Sequence, residues 1–194
     1  MRQPPTTPKP PRRAKRTEAA TQAVADAVTD PELRELMTRA PLWRRPGFLV
    51  RRLHQIHSAL FHEECAAFDI TPVQYAVLTA ISINPGADQH SIAQEVGIDR
   101  TNVADVLSRL ARRGLVRRQR GEIDRRTYLA WLTPEGETLT RSMLSAMRNA
   151  QERLLSPLDE PDRETFMSLL MRLINANNDA SRATLGPAKV ERAA

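Results

Sequence analysis

Between about residue 46 and residue 180, large apolar side chains recur at helical spacing in blocks divided by proline, glycine and capping residues. Leu49, Leu53, Ile56 and Leu60 fall at i, i+4, i+7 and i+11 behind Pro46-Gly47, which predicts an amphipathic helix over roughly 46–67. Thr71-Pro72-Val73-Gln74 combines a cap, a proline at the first helical position and a capping-box glutamine. Val73, Val77 and Ile81 continue that second helix, and Asn84-Pro85-Gly86 stops it. A third, short helix fits Ser91 to Val96 and ends at Gly97. Asp99 caps a fourth, with Val103, Val106, Leu107 and Leu110 as its buried face and Gly114 at its end. Two β-like pieces follow, Leu115–Gln119 and Thr127–Leu132, separated by a polar, charged hairpin turn. Thr133-Pro134 caps a long fifth helix, and Phe166, Leu169, Leu170, Leu173 and Ile174 stripe a sixth. Upstream, Asp30 and Pro31 open a short helix over 31–40. The chain shows no internal repeat.

The fold class is therefore mainly α with a small β-hairpin. At 194 residues the chain suits one domain of ordinary size plus extra segments. A 41% hydrophobic content supports one core, and no window reaches 18 consecutive apolar residues, so no membrane span is expected. The basic N-terminus has no apolar stretch behind it, unlike a secretory signal. One cysteine, Cys65, excludes an internal disulfide framework, and a reducing, cytoplasmic address follows as the default. Residues 1–28 form a basic, proline-rich segment expected to be disordered, and 183–194 a flexible tail. The basic segment either adds non-specific DNA affinity or is simply solvated.

The formal charge of +6 points to an anionic partner, and its distribution says where. Residues 100–126 carry nine arginines (100, 109, 112, 113, 117, 118, 120, 125 and 126) against Asp105, Glu122 and Asp124. Residues 1–20 hold a second basic patch, and the rest of the chain is mildly acidic. The central patch coincides with a short helix, a tight turn at Gly97-Ile98 and a longer arginine-bearing helix, which is a helix-turn-helix pattern. Its second helix can enter a DNA major groove, presenting Arg100, Thr101, Asn102, Asp105 and Arg109. Arginine offers a bidentate fork to guanine, asparagine one to adenine, and threonine meets a thymine methyl or a phosphate. The hairpin that follows directly completes the layout of a winged helix, whose tip is Gly121-Glu122-Ile123-Asp124-Arg125-Arg126. A tip arginine can reach a narrow minor groove while a neighbouring carboxylate holds its guanidinium.

These segments resemble the MarR family of bacterial transcription regulators over roughly residues 46–180. The resemblance rests on Thr71-Pro72-Val73-Gln74-Tyr75-Ala76-Val77-Leu78 and Ile98-Asp99-Arg100-Thr101-Asn102-Val103. It rests also on Arg109-Leu110-Ala111-Arg112-Arg113-Gly114-Leu115-Val116, on Asp124-Arg125-Arg126 and on Leu132-Thr133-Pro134-Glu135-Gly136. It implies a DNA-binding lobe at 71–133, flanked by dimerisation helices at 46–70 and 134–182, with 29–45 as a short helix and lead-in. It also implies a homodimer whose recognition helices address a pseudo-palindromic operator on double-stranded DNA. Thr101 and Asn102 would lie in the major groove, and Arg126 would be the wing-tip arginine supported by Asp124, with Arg125 beside it. Ile123 departs from the family pattern, where polar residues are commoner. The terminal apolar stripes around Leu53 and Leu173 independently call for a partner surface or an internal one.

Family members commonly answer to small phenolic or aromatic-acid ligands. The block Pro46-Gly47-Phe48-Leu49-Val50-Arg51-Arg52-Leu53-His54-Gln55-Ile56 resembles a proteobacterial subgroup tied to aromatic-acid catabolism. On a helical wheel His54, Phe61 and Cys65 share one face, with His57 at its border. Phe61 could form an aromatic wall, His54 and His57 could donate to a carboxylate or ring hydroxyl, and Arg51 and Arg52 could neutralise charge. The other openings are metal sensing through His54 and His57 and redox sensing through Cys65. A ligand-independent architectural or protein-interaction module is a further alternative, since winged helices serve those roles too. No histidine sits in a recognisable catalytic motif, and no cofactor site is read from the sequence, so an enzyme is not expected.

Overall fold

The protein is described from a computed structural model, which covers residues 30–121 and 127–181. The chain divides into two compact units, one ending at Ile56 and the other beginning at His57.

In the first unit α1 (Pro31–Arg39) starts as the sequence predicts. The Asp30 carboxylate accepts from Glu32 N at 2.9 Å, and Pro31 takes the first turn, where a missing N–H costs nothing. A 3₁₀ turn, Pro41–Arg44, follows, and Arg44 Nε donates to the Met37 carbonyl at 2.9 Å. The Trp43 and Phe48 rings meet edge-on at 5.8 Å. Helix α2 (Pro46–Glu64) begins in this unit and ends in the next.

Besides 3₁₀ turns at Ala66–Phe68 and Asn178–Ala180, the second unit holds α3 (Pro72–Ile83), β1 (Ala87–Asp88), α4 (Gln89–Val96), α5 (Arg100–Arg112), β2 (Val116–Arg120), β3 (Tyr128–Leu132), α6 (Pro134–Ser142), α7 (Leu144–Leu155) and α8 (Glu160–Ala176). The Thr71 capping box is complete, with Gln74 N donating to Thr71 Oγ1 and Thr71 N to Gln74 Oε1. The strands form an antiparallel sheet in the order β1-β3-β2. Phe61 from the end of α2 and Cys65 just after it, Val77, Leu78 and Ile81 from α3, Ile92 from α4, Val103, Leu107 and Leu110 from α5 and Met143 make one core under that sheet. Arg153 of α7 spreads its fork over two carboxylates at the end of α2, 2.7 Å from both Glu63 and Glu64.

Three expectations change. The two-residue β1 was not expected, because so short a piece shows no alternation; it joins β3 through Ala87 and Ala130. The long fifth helix is two, α6 and α7. Ser142 Oγ and Met143 N both donate to the Leu139 carbonyl, so side chain and backbone compete where the ladder breaks. The face of α2 that carries Phe61 and Cys65, read as a ligand wall and a sensing thiol, lies in the core, while Leu49 and Ile56 of the apolar stripe are exposed.

Candidate nucleic-acid interface

Helix α4 is capped by Asp88, which accepts from Ser91 N at 2.8 Å. It stops at Gly97, whose φ of 70° is left-handed and suits a residue without Cβ. Gly97 N and Ile98 N both return to the Ala93 carbonyl, which closes the turn. Asp99 then caps α5 by accepting from Asn102 N at 3.0 Å. Gln89 Nε2 donates to the Arg100 carbonyl at 2.6 Å, tying the start of α4 to the start of α5.

Opposite the buried Val103, Leu107 and Leu110, the exposed side of α5 presents Thr101, Asn102, Asp105 and Arg109 within about 100° of arc; Arg100 lies outside that arc and is exposed at the first turn. The structure thus brings the five sequence-predicted residues of this helix onto open surface. It adds a constraint on one of them. The Asn102 side-chain amide also donates to the Asp99 carboxylate, so the cap pre-orients the group suited to reading adenine. Arg109 lines a cavity of about 410 Å³ with Arg112, Arg113, Asp69, Thr71 and Gln74.

Arg113, which ends α5, donates to the Phe68 and Asp69 carbonyls, and its guanidinium lies 3.7 Å from the Asp69 carboxylate. That link spans over forty residues, and no local pattern signals it. Thr133 Oγ1 donates to the Gly114 carbonyl at 2.6 Å and accepts from Gly136 N at 3.0 Å, fastening the exit of α5 to the start of α6. The sequence predicts the cap but not the bond to Gly114. Asp124, Arg125 and Arg126 of the wing tip lie outside the described residues, as do Glu122 and Ile123.

The five residues expected to meet a small ligand are more dispersed. Arg51, Arg52 and His54 are exposed in the first unit; the Arg51 guanidinium lies over the Phe48 ring at 5.6 Å, and Arg52 donates to Gln55 at 2.9 Å. In the second unit His57 is half-buried, with Nε2 3.5 Å from Gln151 Nε2. Phe61 is 1% exposed and packs against the Tyr75 ring at 6.5 Å. Sequence reasoning missed a separate cavity of about 460 Å³ between α3, β3 and α6, lined by Tyr75, Thr79, Trp131, Thr140 and Arg141. The buried Thr79 Oγ1 has no hydrogen-bond partner. None of the five lines that cavity.

Cys65 is buried, and burial together with Glu64 pushes its thiol pKa up, which disfavours a thiolate sensor. Among the described residues no group of three His, Cys, Asp or Glu side chains converges to hold a metal ion.

A capped helix-turn-helix with an exposed polar reading face, followed at once by a two-stranded wing on the same core, defines a winged helix-turn-helix DNA-binding protein. The MarR family model matches residues 68–127. The transcriptional regulator HosA of Escherichia coli O111:H- is 34% identical over 127 residues, which is 66% of this chain and 93% of that protein. The crystal structure of the PcaV transcriptional regulator from Streptomyces coelicolor, in complex with its natural ligand, is 36% identical at a TM-score of 0.63, covering 68% of this chain and 93% of that one. A structure describing regulation of DNA binding of Bordetella bronchiseptica BpsR by 6-hydroxynicotinic acid is 27% identical at a TM-score of 0.64, covering 66% and 92%. The chain belongs to the MarR family, and it is a transcription regulator rather than an enzyme.

Proposed function

We propose that this regulator works as a cytoplasmic homodimer that represses from a pseudo-palindromic operator and lets go when a small aromatic acid binds. The observation that carries the dimer is α8: it has no buried residue, and Met171, Leu173 and Ile174 are each more than half exposed. Leaving such side chains in water forgoes about 1.5–3 kcal/mol each, which a second copy would recover. Paired recognition helices would then meet half-sites about one helical turn apart. Thr101, Asn102 and Arg109 read or flank bases from α5, with Arg126, Asp124 and Arg125 serving at the wing tip.

The ligand class is supported by 6-hydroxynicotinic acid, which regulates DNA binding of the similar BpsR. Arg51 and Arg52, exposed on α2, supply positive charge for a carboxylate, and His54 and His57 follow along the same helix, whereas Phe61 is taken up by the core. The cavity lined by Thr79, whose buried hydroxyl has no hydrogen-bond partner among the described residues, favours a second location, where a small shift of that side chain would let a ring hydroxyl or carboxylate take up the missing hydrogen bond. Release is a population shift: the ligand must bind a dimer geometry that misfits the operator more tightly than one that fits it.

The test is fluorescence anisotropy on DNA from upstream of the protein's own gene against a scrambled duplex, repeated with a panel of aromatic carboxylates. Operator-specific binding reversed by one of them is the expected result. Specific binding that no carboxylate changes sinks the ligand reading. Arg51→Ala with Arg52→Ala and, separately, Thr79→Val then tell the two locations apart by which abolishes the response.

A further inference from the structure

Strands β2 and β3 carry three arginines and two aromatic rings, and the pleat sorts them onto opposite faces. The register pairs Arg120 with Tyr128 and Arg118 with Ala130, so these share one face. Arg117 pairs with Trp131 on the other, its guanidinium 4.7 Å above the indole. The first face is the one whose base is buried: Val116 and Ala130 lie in the same core as Val103, Leu107 and Leu110 of α5. Past the edge of that core it continues as the half-buried Arg118 and the exposed Arg120 and Tyr128, on the side of the sheet that α5 occupies.

There the three side chains hold one another. The guanidinium of Arg118 lies 5.0 Å from the centre of the Tyr128 ring, and that of Arg120 5.7 Å. Arg120 Nε donates to the Tyr128 hydroxyl at 3.1 Å. The same bond pulls the phenol pKa down, which makes its own hydrogen a better donor, and that hydrogen is left for an outside acceptor. Among the described residues no carboxylate pairs with Arg118 or Arg120. Two cations and one hydroxyl, held by a ring and, among the described residues, by no carboxylate, match an oxyanion with several acceptor oxygens.

We propose that Arg118, Tyr128 and Arg120 form a clamp for DNA backbone phosphates, separate from the base-reading face of α5. Arg118 and Arg120, at i and i+2, leave one face of the strand about 6.8 Å apart at their Cα atoms, a spacing that lets the two side chains reach neighbouring phosphates of one DNA strand. A five-residue strand spans about 17 Å, close to the ~20 Å of a 13-residue helix, so a wing returning along α5 brings this end towards the level of the reading turns. The clamp rests on the DNA-binding reading and adds affinity without sequence preference.

The experiment measures how operator and scrambled-duplex affinities of the full chain fall with salt. Arg118→Gln and Arg120→Gln should each make the log–log slope shallower by about 0.9 and weaken both duplexes by the same factor. Arg117→Gln, on the opposite face, should leave the slope alone. Tyr128→Phe keeps the ring and should weaken both duplexes by about 2- to 10-fold at an unchanged slope. Melting curves accompany each variant, and the tyrosine variant decides the matter should a glutamine variant unfold. Unchanged slopes in natively melting Arg118 and Arg120 variants overturn the clamp. So does a loss confined to the operator, or an equal change in Arg117→Gln. If the wild type binds both duplexes equally, the operator reading fails, and slopes on the scrambled duplex still decide the clamp.

Discussion

Helices α5 and α8 carry comparable apolar stripes, yet Leu107 of α5 is 1% exposed whereas Leu173 of α8 is 60% exposed. The first is sealed inside a lobe where α3, α4 and the sheet all turn towards it. The second has neighbours too few to cover it. Periodicity in a sequence states that a face wants burial; it does not state whether the same chain provides the cover. Among the described residues the lobe around α5 covers its own stripe, and on the proposed homodimer α8 supplies half of an interface. Each claim can be broken by a substitution that ought to injure one region and spare the other.

The largest effect is expected at Gly136, on the first turn of α6. A Cβ there would stand 2.0 Å from the Leu115 carbonyl oxygen, a backbone atom that also accepts from Thr133 N at 3.1 Å. Gly136→Ala should destabilise the lobe by about 3 kcal/mol and lower its melting temperature by roughly 10 °C. Melting at the wild-type temperature would show that the exit of α5 and the start of α6 shift apart freely. Next comes Leu173→Glu, which places a charge in the proposed interface. It should weaken self-association about 100-fold, read by sedimentation, and leave the lobe's melting unchanged. Self-association at wild-type strength would remove α8 from the interface.

The contrast also explains what the sequence reveals. Signals that act within four residues are plain: Asp30, Thr71 with Gln74, Asp99 and Thr133 all cap the helices their spacing predicts. So is the polar side of α5, because the buried side is fixed by Val103, Leu107 and Leu110. What stays hidden is made by chain segments far apart. Arg113 reaches Asp69, Arg153 reaches Glu63, and the cavity beside Thr79 needs three elements to close around it. The same limit accounts for Phe61. Its place on the wheel beside His54 suits a ligand wall, but the Tyr75 ring and the core already occupy that side.

On the reading face the effect should be smaller and confined to function. Asn102→Ala removes the amide that Asp99 pre-orients, and should cost about 2 kcal/mol against the preferred base at its own position. Affinities for duplexes altered there would then converge. An unchanged base preference at that position would mean that Asn102 serves the cap and not the DNA.

The smallest effect tests how the lobe closes at the point where the flanking helices begin. The Thr133 hydroxyl does two things at once, capping α6 through Gly136 N and donating to the Gly114 carbonyl behind α5. Valine has nearly the same shape without the hydroxyl, so Thr133→Val leaves one donor and one acceptor without that partner. The expected loss is about 1 kcal/mol, or roughly 3 °C in melting temperature. Thr133→Ser keeps both bonds and should melt within about 1 °C of the wild type. If serine falls as far as valine, the threonine methyl rather than its hydroxyl holds the junction, and the lobe is closed by packing instead of by the cap.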